Sequence, residues 1–154
     1  MAFIKEVSGE YRNAGDLLNL TEYVVDAEKS HTDFLIGGLN VLLDGGNVGL
    51  IFDQMSTIQK HRRFSRRAYH IIVAFDPVLE SHVKPQTAYY IGEKICWLYR
   101  EYQSFFYVHE DHEYLHLHLI INNLPIYPTK KNLSEHLDLR RIHTLVEDIV
   151  EDRR

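Results

Sequence analysis

Apolar residues recur along the chain at two spacings, and the changes between them divide it into elements. Ala2–Val7 is short and apolar enough for a first strand. From Asn13, the residues Leu17, Leu18, Thr21, Val24 and Val25 stand three and four apart, which predicts a helix with one buried face. That helix is expected to end near Ala27–Ser30, where Lys29 suits the negative end of its dipole. Tyr23 falls between core-facing positions and is expected to point outward. Phe34–Leu42 reads as a strand interrupted by glycines, and Asp44-Gly45-Gly46-Asn47 as a turn. Helical spacing returns from Val48 to about Gln59 through Leu50, Ile51, Met55 and Ile58.

Tyr69–Phe75 is nearly all apolar, the pattern of a central strand buried on both faces, and Asp76-Pro77 ends it. Lys84-Pro85-Gln86-Thr87 opens the longest helix, with Ile91, Ile95, Leu98 and Tyr102 as its expected core stripe. Two strands follow, Ser104–His109 and Leu115–Asn122, joined by Glu110–Tyr114 as a hairpin. Pro125 and Pro128 bracket an extended linker, and Ser134 is placed to cap a last helix whose stripe is Leu139, Ile142, Val146 and Ile149. The order predicts one domain over residues 1–154: an α+β fold, a two-layer sandwich with helices on a mostly antiparallel sheet.

Composition narrows the class. The 154 residues are 45% hydrophobic and 25% charged, a globular balance able to bury a core. The single cysteine, Cys96, excludes a disulfide framework within the chain and fits a reducing compartment, with burial as its expected fate. No apolar run reaches membrane-spanning length and no signal-peptide core is evident, so a cytoplasmic protein without membrane insertion is expected. The net charge of −5 argues mildly against nucleic-acid binding. Its distribution matters more: Lys60-His61-Arg62-Arg63-Phe64-Ser65-Arg66-Arg67 holds five basic residues and no acid. Such a run is either a solvated face or a track for phosphates.

The hairpin carries the chemistry. Four of the ten histidines fall between His109 and His118. On a strand His116 and His118 project from one face while Leu115, Leu117 and Leu119 enter a core on the other. The hairpin brings His109 beside His116. Three imidazoles then converge and leave coordination positions open, the arrangement of a catalytic metal site. Asp111 either orients a ligand from the connecting loop or serves as a turn residue. Asn122 either contacts DNA or bonds the strand end.

In order along the chain, these residues resemble the relaxase/mobilisation nuclease family of conjugative plasmids and integrative elements, part of the His-hydrophobe-His endonucleases. Tyr23-Val24-Val25-Asp26-Ala27-Glu28-Lys29-Ser30 resembles its first motif, a tyrosine followed six residues later by Lys-Thr or Lys-Ser. Gly38-Leu39-Asn40 and Met55 resemble the next segment, and Tyr69–Phe75 the second motif. Lys84-Pro85-Gln86-Thr87-Ala88 with Ile91-Gly92 resembles the start of the family's long helix. His109, Asp111, His116, His118 and Asn122 stand at the third motif's spacing.

The resemblance implies a site- and strand-specific nickase of single-stranded origin-of-transfer DNA. Tyr23 would be the nucleophile, forming a covalent 5′-phosphotyrosine intermediate that permits rejoining. His109, His116 and His118 would hold one divalent ion, usually magnesium or manganese. Imidazoles are softer donors than magnesium prefers, so zinc or nickel also fits. A phenol with a pKa near ~10 is mostly protonated at neutral pH and needs such help to attack. Arg62, Arg63, Arg66, Arg67 and Asn122 are the candidate DNA contacts. Relaxosome accessory and coupling proteins would be the partners.

Two departures stand out: Ala74 replaces a serine usual in the second motif, and no helicase or primase segment follows the nuclease motifs before Arg154. The alternatives are a rolling-circle replication initiator, a non-catalytic DNA-binding relaxase homologue, and a metal enzyme unrelated to DNA. Initiators generally carry the tyrosine after the His-x-His strand, where only Tyr127 stands here. Tyr11 is the reserve nucleophile.

Overall fold

Strand β5, Leu115–Pro125, occupies the middle of the sheet and carries two of the three clustered histidines. It is seen in a computed structural model that describes residues 2–7, 11–25, 35–60, 62, 66–110, 114–128 and 130–154. In chain order the elements are β1 (Phe3–Glu6), α1 (Ala14–Val24), β2 (Ile36–Leu39), α2 (Val48–Gln59), β3 (Ala68–Ala74), α3 (Pro85–Leu98), β4 (Tyr102–Glu110), β5, a 3-10 turn (Leu133–Glu135) and α4 (Leu139–Asp152). The sheet order is β1-β3-β5-β4-β2, and every described pairing is antiparallel.

Register decides what lies on each face. Phe3, Ala74, His116 and His109 stand opposite one another across four strands, and antiparallel partners share a face. The next row on that face is Lys5, Ile72, His118, Tyr107 and Ile36. This face packs under α1 and α2, through Leu17, Leu20, Val24, Ile51 and Met55 against Phe105, Tyr107 and Ile120. The other face, with Ile71, Val73, Phe106, Leu117, Leu119 and Ile121, packs on α3 and α4 through Ile91, Ile95, Ile142 and Val146. The α+β class and the antiparallel sheet are as expected. The layering differs: helices cover both faces, giving three layers rather than a two-layer sandwich. The reason is that β3, β4 and β5 are apolar on both sides, and α1 with α2 buries what α3 and α4 leave.

Local chemistry sets the helix ends. Asn13 and Asp16 form a reciprocal cap on α1, with the Asp16 N–H donating to Asn13 Oδ1 at 2.9 Å. The turn at Asp44-Gly45-Gly46 runs through left-handed conformations (φ 46°, 65° and 92°) and delivers Asn47 as the cap of α2. A β-carbon on Gly46 would stand 3.0 Å from Val25, so this turn also packs against the end of α1. The described part of α1 ends at Val24 with Val25 as its cap; Lys29 lies outside the described residues.

Two expected boundaries are corrected. Tyr102 opens β4 instead of closing the α3 stripe; it follows Ile95 at a helical interval, but the chain turns at Tyr99 and the Tyr102 N–H bonds the Tyr99 carbonyl. Ser134 does not cap the last helix. Leu133 is drawn into the core, the Ser134 N–H donates to Asn123 Oδ1 at 3.0 Å, and α4 begins only after Asp138, whose carboxylate accepts from the Arg140 N–H.

Candidate active site

The end of α1 lies over the start of β5. His109, His116 and His118 each bring one ring nitrogen to within 4.8 Å of the others. The ring centroids are 5.3 Å (His109–His116), 4.4 Å (His109–His118) and 5.0 Å (His116–His118) apart. His109 and His118 are buried, and His116 is half-buried at the open side of the cluster.

The second nitrogen of each ring is already engaged, and for His109 and His116 that fixes the first. His109 Nε2 lies 3.0 Å from the Val24 carbonyl, which can only accept, so Nε2 carries the proton and Nδ1 keeps the lone pair. His116 Nδ1 lies 3.1 Å from the Tyr114 carbonyl, which leaves Nε2 as its donor by the same logic. His118 Nδ1 lies 2.7 Å from His70 Nε2. When that bond runs from His118 to His70, the His118 Nε2 is also a lone-pair donor. Metal-binding histidines ordinarily rest their second nitrogen on such an acceptor. The donor set therefore fits one divalent ion held by three neutral imidazoles with positions to spare.

His70 is the residue that the sequence reading missed. It sits on β3, buried, stacked on His118 with ring centroids 5.0 Å apart. Burial and the nearby His109 push its pKa down to about 4, so it stays neutral and one of its ring nitrogens is an acceptor. In sequence it is one polar residue in an apolar strand. Only the diagonal offset across the register (His70 opposite Ile120, Ile72 opposite His118) brings it to the cluster.

Tyr23, on the last turn of α1, is half exposed as expected. Its ring meets that of His118 edge-on at 5.6 Å and that of His70 at 6.2 Å. The neighbouring Val24 supplies the carbonyl for His109, so one turn of helix both presents the phenol and orients a histidine. Tyr11 packs instead beside the Arg66 guanidinium, 5.7 Å from its ring, and burial raises its pKa. Tyr127 lies nine residues beyond His118 (127 − 118) along an extended strand and the turn after it. Seven of those residues lie on β5, which at ~3.3 Å per residue carries the chain roughly 23 Å from His118 before the turn and disfavours the replication-initiator arrangement.

Other expected site residues are placed elsewhere. Asp111 and Arg63 lie outside the described residues. Asn122 is corrected: it is fully buried, its amide donating to the Met55 carbonyl and Gln103 Oε1 while its oxygen accepts from Gln59 and the Leu124 N–H. It ties β5 to α2 and β4 and has no surface to offer DNA.

The described arginines of the basic run make contacts within the chain. Arg66 stacks on Tyr69 at 3.9 Å, pairs with Glu6 at 3.1 Å and donates to the Ala68 carbonyl. Arg67 bonds the Arg12 carbonyl and Gln59, and Arg62 the Pro125 carbonyl. These three tie loops and strand ends together at the Asn122–Pro125 end of β5, away from the histidines.

The family model described as Relaxase: MobA/VirD2-like, nuclease domain, matches residues 23–154, from the tyrosine through the histidine hairpin to the last residue. No curated protein and no solved structure matches the chain.

Proposed function

The chain belongs to the relaxase family, with a nuclease domain of the MobA/VirD2-like kind, and from that premise we propose that it nicks and rejoins one strand of transfer-origin DNA through Tyr23. The observation that carries the reading is the placement of the Tyr23 ring against His118 and His70, beside three histidines whose donor nitrogens face one another.

A divalent ion held by His109, His116 and His118 would supply charge stabilisation to the phosphate undergoing displacement. The chain's own residues do the rest. Tyr23 forms a bond from its phenolic oxygen to phosphorus as the bond from phosphorus to the 3′ oxygen breaks. The phenol gives up its proton and the leaving 3′ oxygen takes one up, so no water is consumed. The phosphodiester is conserved as a phosphotyrosine, and the reverse step rejoins the strand. The Val24 and Tyr114 carbonyls hold His109 and His116 in single tautomers, and His70 is placed to accept from His118 in the same way. The role in conjugative mobilisation, with relaxosome accessory and coupling proteins as partners, is part of the same reading and rests on family membership. No described helix is long and apolar enough to cross a membrane.

The test is a covalent adduct. Labelled oligonucleotides tiling the protein's own element, incubated with it and manganese, should yield a protein–DNA adduct with the wild type and none with Tyr23→Phe. An adduct that survives Tyr23→Phe, or a wild type that forms none on any oligonucleotide, would sink the proposal.

A further inference from the structure

Beyond the histidines, the same face of the sheet continues to an open edge. Phe3, Ala74 and His116 are consecutive partners in one row, and Lys5, Ile72 and His118 in the next. Helices α1 and α2 cover the middle of this face but stop short of β1: Phe3 is 64% exposed, and Ala74 and Ile72 are only half-buried. Tyr114, 50% exposed just before β5, lines the same notch as Phe3. Together with Ala74, Phe75 and Asp76 these two aromatic rings line a notch of about 130 Å³.

The geometry points to this notch as the seat of an unpaired DNA base flanking the phosphate that is cut. The inference deepens the proposed function and rests on it. Both rings are exposed beside the proposed cleavage site, and flat aromatic faces are what unstacked bases rest on. The size suits one planar ring: it is well below the ~300–1,000 Å³ of pockets that enclose a whole small ligand.

Charge sets the orientation. The Asp76 carboxylate, held ionised by the Leu79 and Val78 N–H groups, borders the notch and repels a phosphate from it. Lys5, one row along and exposed on the same face, attracts one. A strand lying across the edge would then place its base in the notch and its backbone towards Lys5 and the histidines. A base still stacked in a duplex could not enter, so the site selects single strands. Ala74 contributes a small floor, and a larger side chain there would fill the notch.

Fluorescence anisotropy with labelled single-stranded oligonucleotides tiling the protein's own element tests this, with the matching duplexes as competitors. Phe3→Ala should weaken single-strand binding roughly tenfold, the size of one stacked base, and Phe3→Trp should restore it while Phe3→Leu does not. Manganese binding alone, followed by the loss of the free-ion electron spin resonance signal, should be unchanged in Phe3→Ala. If the wild type binds the oligonucleotide and Phe3→Ala or Phe3→Leu binds it equally well, the notch is not a base site and the relaxase reading survives. If the wild type binds no single-stranded DNA, both fall together.

Discussion

The contact between His70 and His118 shows how much of a candidate metal site can rest on one proton. His118 presents its Nε2 lone pair only while Nδ1 carries the hydrogen, and His70 Nε2, 2.7 Å away, is placed to accept it. His70→Phe should therefore lower manganese or cobalt affinity by about 10- to 100-fold, while His70→Gln, which keeps an acceptor oxygen, should lose less. Metal titration by calorimetry distinguishes the two. His70 also makes a pH prediction for the metal-free protein. Its folded pKa is about 4 against 6.5 for an ordinary histidine. Between those values the unfolded chain binds the extra proton, so the contribution is fully present above pH 6.5 and lost as pH falls towards 4. Denaturant midpoints of the wild type should fall across that window, and those of His70→Phe should fall less. His116 and His118 were legible in the sequence because alternation on a strand is a local pattern. His70 was not, because its relation to His118 exists only through the pairing of two strands separated by α3 and β4.

At the scale of elements, Asn122 decides how α2 sits on the sheet. Its amide and oxygen close a buried network with Met55, Gln59, Gln103 and Leu124. Removing the side chain strands those groups without water. Asn122→Ala should cost about 3 kcal/mol of stability, by the usual penalty for unsatisfied buried polar groups. Calorimetry should show the lower melting temperature, and the surviving folded fraction should bind single-stranded DNA as the wild type does. A loss of DNA affinity at unchanged stability would restore Asn122 to the DNA interface. On the opposite face, Phe106 fits between β2 and α3 because Gly37 and Gly92 have no side chains. A β-carbon at Gly92 would come within 2.6 Å of the Phe106 ring. Gly92→Ala should destabilise by roughly 1–3 kcal/mol, and Phe106→Leu in the same chain should recover part of it. Gly92 was read only as part of a helix-opening motif, because a helix gives no sign of which partner ring needs the space.

For the molecule as a whole, the apolar pattern located the elements well, and the errors concern what lies between them. The number of layers escaped because a strand apolar on both faces does not say which helix covers which side. The contacts of the arginine run were also not legible, because composition cannot tell a cation facing solvent from one stacked on Tyr69 and paired with Glu6. Cys96 offers a reporter for the entire fold. It is buried, and burial pushes its thiol up to about 12, so in the native state it is neither accessible nor ionised. Labelling by a thiol reagent at neutral pH should track unfolding. Manganese should slow that labelling in the wild type and have no effect in His116→Ala, because a ligand that binds only the folded state stabilises it.

The bond from His109 to the Val24 carbonyl has a further consequence for how this site tolerates change. Tyr23 and Val24 are adjacent, and both face the same cluster from one helical turn. Each residue of a helix turns it by about 100°. One residue inserted in the middle of α1 would swing the tail of the helix round by that angle, taking the phenol off His118 and the carbonyl off His109 in the same move. Length changes in α1 are thus forbidden singly, whereas the Asn13–Asp16 cap could be replaced by any other that starts the helix at the same residue.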